Sequence, residues 1–297
     1  MKTINKVLIV LLSMMITLIT TGCSVKDYDG KILKEAATVT TELGFDSKEE
    51  NPFATGTRYF EVTKTEEGYL VDVNGTEKRI QVPEHHQAAY SPKEIADVTA
   101  KHQKIVISSK KLIYQYIDAS KILKNKDDIK KYIDKIAVKE AYYTPDNNVG
   151  AFYSHADNTL YINKNASDAV SEWMITHELV HAMDFFTHDM DIDKETYAFN
   201  MFNEYITDII TAAMEPSLPN EVYSGYSFFY DLVYPYINIM GEEAIEAYFY
   251  GYDKVYQKLG KNEFDFFVLV IENYGLENSI AYYNNLILRW YAMIWRN

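Results

Sequence analysis

With one cysteine in 297 residues, this chain can form no intrachain disulfide, so its redox compartment cannot be read from cysteine pairing. A chain of this length needs no such staples. It can bury a sizeable core as one large domain, or as a catalytic domain with a small accessory one. Basic residues are also scarce: 29 Lys and Arg stand against 43 Asp and Glu, a formal net charge of −14. No basic stripe is present to offset phosphate repulsion, which argues against a nucleic-acid partner. The apolar run Val7 to Ile19 is too short to span a bilayer comfortably. Histidine is sparse as well, with seven in the chain and none after His188, so any histidine chemistry must be finished by that point.

What is present begins at the amino terminus. Lys2 and Lys6 precede the apolar run, and Thr20-Thr21-Gly22-Cys23 closes it, which is the layout of an export signal over residues 1–23. Gly22-Cys23 in that position resembles a bacterial lipobox, although Thr20 stands where an aliphatic residue is usual. The resemblance implies that Cys23 receives a diacylglycerol, becomes the mature amino terminus and anchors the protein to the outer side of the cell membrane.

Residues 24–57 read as a tether with a helix near Ile32 to Leu43, ended by Gly44. Residues 58–91 hold three alternating runs, Arg58 to Lys64, Tyr69 to Val73 and Glu77 to Val82, split by Glu67-Gly68 and Asn74-Gly75. Asn-Gly between alternating runs signals a hairpin, so the segment reads as a small antiparallel meander. Residues 92–297 form the larger unit. Pro92 to Leu123 reads as mostly helical. An active core over 127–215 follows, with a helix from Asp127, a strand at Ala137 to Tyr143, a paired Gly150 to Ser154 and Thr159 to Asn163, and two long helices. The first long helix runs from Ser167 to Phe186 and the second from Lys194 to Met214. The lobe over 216–297 is helical and rich in Tyr, Phe and Leu. The fold class is therefore α+β.

The chemistry sits on the two long helices. In His177-Glu178-Leu179-Val180-His181, the i, i+4 spacing puts both imidazoles on one helical face, one turn apart. Two neutral ring nitrogens so arranged can converge on one Zn²⁺ at about 2.0–2.1 Å. Glu178 lies at the edge of that face, where its carboxylate can take a proton from an attacking water. A catalytic zinc needs a third protein ligand, and Glu204 on the second helix supplies it. Asp208, one turn on, and Asn203, the residue before, are placed to fix the tautomers of the two histidines.

HExxH followed by a glutamate on the next helix resembles the gluzincin metallopeptidases, and Asn203-Glu204-x-x-x-Asp208 is similar to their thermolysin-type second motif. The resemblance implies a zincin-like catalytic domain and a peptide or protein substrate. It also implies that Gly150-Ala151-Phe152-Tyr153 is the edge strand along which substrate lies. Thermolysin-type enzymes use a downstream histidine as a transition-state donor, and this chain has none. Tyr197, seven residues before Glu204, is two helical turns away on nearly the same face. That spacing, with His181-Ala182-Met183-Asp184, resembles anthrax lethal factor and the secreted clostridial Pro-Pro endopeptidases, which implies Tyr197 as the oxyanion donor.

The sequence thus leads to a membrane-anchored zinc endopeptidase with one Zn²⁺ per chain. A competing reading is a surface lipoprotein that binds a ligand or protein partner on the same scaffold without catalysis. A purely structural zinc site is weaker, because such sites supply four ligands. Of the other histidines, His85 and His86 read as loop surface and His102 as a helix face. His155 follows the proposed edge strand and reads as surface or as a substrate contact, and His188 is placed to cap the active helix.

Overall fold

The computed structural model describes residues 26–45, 60–81, 92–142, 150–164, 168–188, 198–214, 227–273 and 279–295. Within them the protein is α+β, with ten helices, a three-stranded antiparallel sheet and a four-stranded mixed sheet.

Helix α1 (Tyr28–Glu42) starts where the Asp27 carboxylate accepts the Gly30 N–H at 3.0 Å. Its buried stripe, Tyr28, Ile32, Ala36 and Thr40, repeats at the helical period. The sequence places this segment in a tether, yet the helix is built into the core. Buried Asp29 accepts the Ser120 hydroxyl at 2.9 Å and the Lys121 N–H at 3.0 Å, and the Lys31 ammonium donates to the carbonyls of Ala212 and Ala213. Those two carbonyls belong to the last turn of a helix introduced below, where a positive charge is favourable.

Strands β1 (Phe60–Thr65), β2 (Gly68–Val73) and β3 (Thr76–Gln81) form the meander in that order. Asn74 and Gly75 both have positive φ, 52° and 83°, as a two-residue turn matched to the twist of a hairpin requires. Phe60, Val62, Tyr69 and Val71 share the buried face. That face packs on the carboxy-terminal helices, with Phe60 and Tyr69 ring centroids 6.2 and 5.9 Å from that of Phe266, and Arg289 donating to the Phe60 carbonyl.

The second sheet runs β4-β5-β7-β6, with β4 Lys93–Asp97, β5 Ala137–Tyr142, β6 Ala151–Ser154 and β7 Thr159–Asn163. β5 and β7 are parallel, and the other pairs are antiparallel. β7 is almost wholly buried, and β6 is the edge strand of the sheet among the described residues. β4 lies where the sequence suggests mostly helix. Its residues, Lys-Glu-Ile-Ala-Asp, carry no apolar alternation, and a register shift between Lys93 and Ala96 accompanies a positive φ at Glu94. Backbone pairing with β5, rather than side-chain pattern, makes it a strand.

Helices α2 (Ala100–Ala119) and α3 (Lys126–Asp134) pack against α4 (Asp168–Thr187), which in turn packs on β6 and on α5 (Ala198–Met214). The remaining helices are α6 (Ser227–Met240), α7 (Glu242–Tyr250), α8 (Asp253–Leu259), α9 (Lys261–Glu272) and α10 (Ser279–Trp295). One continuous core runs from α1 and the meander through α4 and α5 into these helices.

Candidate metal centre

α4 and α5 bring together the three residues that the spacing selects. The Nε2 atoms of His177 and His181 are 2.9 Å apart, and Glu204 Oε2 lies 2.9 Å from the first and 3.2 Å from the second. A tetrahedral ion with ligands at about 2.0–2.1 Å holds its donor atoms roughly 3.3 Å apart, so a metal fits with little movement. The chemistry of the donor set agrees. His177 Nδ1 lies 2.7 Å from the buried carboxylate of Asp208, which takes its N–H and leaves the Nε2 lone pair facing the other two acceptors. Acceptors that converge in this way need a cation or shared protons between them. The group can therefore hold a metal ion.

The electrostatics are those of a site that exchanges protons for a cation. Burial pulls the His177 imidazole down, but Asp208 and Glu204 outweigh it and hold it well above its ordinary range. His181 is raised for the same reason, with burial opposed by Glu204. Glu204 is held well below the usual carboxylate range, because the two imidazoles overcome the burial that would raise it.

Glu178 stands beside this group. Its Oε2 accepts the Tyr153 N–H at 2.7 Å, which ties the active helix to the edge strand. Burial raises its carboxyl above the usual value, against the two histidines and that N–H. Along β6 the carbonyl of Gly150 accepts the Asn163 N–H, and Phe152 pairs with Tyr161. By the alternation of an antiparallel ladder, the polar backbone groups of Ala151 and Tyr153 face away from β7. Gly150 allows the close approach: a Cβ there would lie 1.7 Å from Met174 Sδ on α4.

Comparison with family models, curated proteins and solved structures finds no match to this chain. The site therefore stands on its own geometry.

Asn203 does not meet His181 in the way the spacing suggests. Its Oδ1 accepts the Tyr252 hydroxyl at 2.8 Å, and the group facing His181 Nδ1, at 3.4 Å, is the Thr207 hydroxyl. Asn203 precedes Glu204 by one residue and so lies about 100° around the helix, whereas Thr207, three residues on, shares the Glu204 face. Thr207 occupies an x position of the Asn203-Glu204-x-x-x-Asp208 pattern, which does not mark it. The signal that finds it is the need of each ligand histidine for a partner at its second nitrogen.

Tyr197 and Cys23 lie outside the described residues, as do His85 and His86. His102, expected on a helix face, is buried at 4% exposure, its Nδ1 lying 2.7 Å from Glu140 on β5. His155 is exposed and stacked on Phe185, with centroids 5.0 Å apart. His188 sits at the end of α4, its Nδ1 2.8 Å from Asp184 one turn back.

Proposed function

We propose that this protein is a zinc-dependent endopeptidase of the gluzincin type, held outside the cytoplasmic membrane by lipid at Cys23. The observation that carries the reading is the convergence of His177, His181 and Glu204 within 3.2 Å, with the Glu178 carboxylate alongside on the same helix turn. Two imidazoles and one carboxylate are the ligand set of a hydrolytic zinc site that keeps a position open. Zinc held there supplies Lewis acidity to a peptide carbonyl and lowers the pKa of water.

The rest of the chemistry belongs to the chain's own groups. Glu178 has one oxygen fixed by the Tyr153 N–H, and the other, without a hydrogen-bond partner among the described residues, can take a proton from the attacking water. Because burial raises its carboxyl, Glu178 holds that proton well enough to pass it to the leaving amine. The backbone groups of Ala151 and the carbonyl of Tyr153, which face away from β7, suit an extended peptide that adds a strand beside β6. Tyr197 is the proposed donor to the oxyanion, on the strength of its spacing from Glu204. A scaffold that only binds would not need to keep the base and all three ligands, and each of the four is in place.

The test is metal content. Full-length protein in detergent should carry one zinc per chain, and Glu204→Ala at the same pH should lose most of it. A folded parent that takes up no zinc overturns the reading.

A further inference from the structure

The helical lobe carries no motif of its own, yet two of its phenols reach, from behind, the residues of helix α5 that neighbour Glu204. The Tyr252 hydroxyl donates to Asn203 Oδ1 at 2.8 Å, and the Tyr248 hydroxyl lies 2.5 Å from Thr207 Oγ1. Asn203 and Thr207 flank Glu204 in sequence. Burial holds both phenols well above their ordinary pKa, so each remains a protonated donor.

Counting hydrogens then fixes the tautomer of His181. The Thr207 hydroxyl has one hydrogen, and the Asn203 carbonyl, 2.8 Å away, accepts it. Tyr248 is fully buried and has no other polar partner among the described residues, so its own hydrogen must go to Thr207 Oγ1. With its hydrogen committed to Asn203, Thr207 can only accept from the third atom it faces, His181 Nδ1 at 3.4 Å. His181 therefore carries its hydrogen on Nδ1. Its Nε2 lone pair is left bare, 2.9 Å from His177 Nε2 and 3.2 Å from Glu204 Oε2.

We propose that Thr207, oriented by Tyr248, is a positioning residue that holds His181 in the metal-ready tautomer, so that the lobe helps to set the metal affinity of the site. Asp208 serves His177 in the same way, with a charged acceptor at 2.7 Å. The two ligands are thus held unequally, one by a carboxylate and one by a neutral hydroxyl relay from α7. This inference rests on the metal-site reading above, and its test separates the two.

The experiment is zinc affinity of full-length protein, measured by competition with a chromophoric chelator, for the parent, Thr207→Val, Thr207→Ser and Tyr248→Phe. Removing an outer partner of a ligand histidine costs about 10- to 100-fold in metal affinity, so Thr207→Val should weaken zinc binding by that factor. Thr207→Ser should stay within about threefold of the parent, and Tyr248→Phe should fall between the two. Folded Thr207→Val protein with parental affinity overturns the proposal. If the valine variant does not fold, Tyr248→Phe decides: a weaker site supports the relay and parental affinity overturns it. If the parent itself binds no zinc, the metal reading fails and nitrogen NMR of the metal-free protein, at a pH high enough that His181 is neutral, still decides this one. Hydrogen on His181 Nδ1 supports the relay, and hydrogen on Nε2 overturns it.

Discussion

The metal centre and the core of the helical lobe both hold polar atoms that lack a conventional partner, part-buried in the first and buried in the second, and they do so in opposite ways. At the centre the free acceptors of His177, His181 and Glu204 point at one another within 3.2 Å, and every side chain behind them is hydrogen-bonded. In the lobe the Tyr236 hydroxyl, the Trp290 indole N–H and both Asp265 oxygens have no hydrogen-bond partner among the described residues. Tyr236 and Trp290 are set among the rings of Phe264 and Phe267, and none of these orphan atoms bonds to another. A buried polar orphan is therefore not in itself the mark of a site. Convergence of several acceptors on one point, backed by groups that fix their orientation, is what a ligand requires.

The sharpest way to break this contrast is to remove the one group at the centre whose role is chemical rather than ligating. Glu178→Gln keeps shape and should leave zinc bound, while turnover of a cleaved peptide should fall by about 10²- to 10⁴-fold, the usual worth of a positioned acid-base group. Cleavage at the parental rate would remove Glu178 from the role assigned to it. A smaller effect is expected where the edge strand meets the active helix. Gly150→Ala drives a methyl into Met174 Sδ and should cost about 1–3 kcal/mol in denaturant unfolding. Met174→Ala in the same chain should recover much of that loss, as a coupled pair does. If Gly150→Ala alone leaves stability unchanged, the close approach is not the reason for glycine here.

How much of this was legible in the sequence follows the same division. The centre was readable because helical spacing is rigid: i, i+4 fixes His177 and His181, and Glu204 and Asp208 share a face by the same rule. The meander was readable because Asn74-Gly75 demands positive φ at both positions. β4 was hidden, since an exposed strand of Lys, Glu, Ile, Ala and Asp shows no pattern until β5 pairs with it. The relay through Tyr248 and Tyr252 was hidden for a different reason. It joins residues 41 and 49 positions apart, and among 26 tyrosines nothing local marks these two. His102 was misjudged as surface because its partner, Glu140, lies on a strand 38 residues away.

The mildest test asks whether the lobe's orphan polarity costs stability, as the contrast implies. Asp265 is 2% exposed on α9, and its carboxylate is held only by a long ion pair, 3.4 Å from Oδ2 to the exposed Lys261 ammonium. Burial raises its carboxyl above the ordinary range despite that lysine. A carboxyl whose pKa is higher folded than unfolded binds its proton more tightly in the native state. Its contribution is then fully present below the unfolded value, near 4, and is lost as pH rises through the folded value. Asp265→Asn keeps the shape and removes the charge, and a buried neutral amide costs less than a buried carboxylate with one long ion pair. The variant should be more stable than the parent by about 1–2 kcal/mol at pH 7. The gain should shrink toward zero as the pH approaches 4, which thermal unfolding at the two pH values measures. A variant less stable than the parent at pH 7 would mean that the carboxylate is satisfied after all, and that the lobe holds a partner for Asp265 as the centre holds one for its histidines.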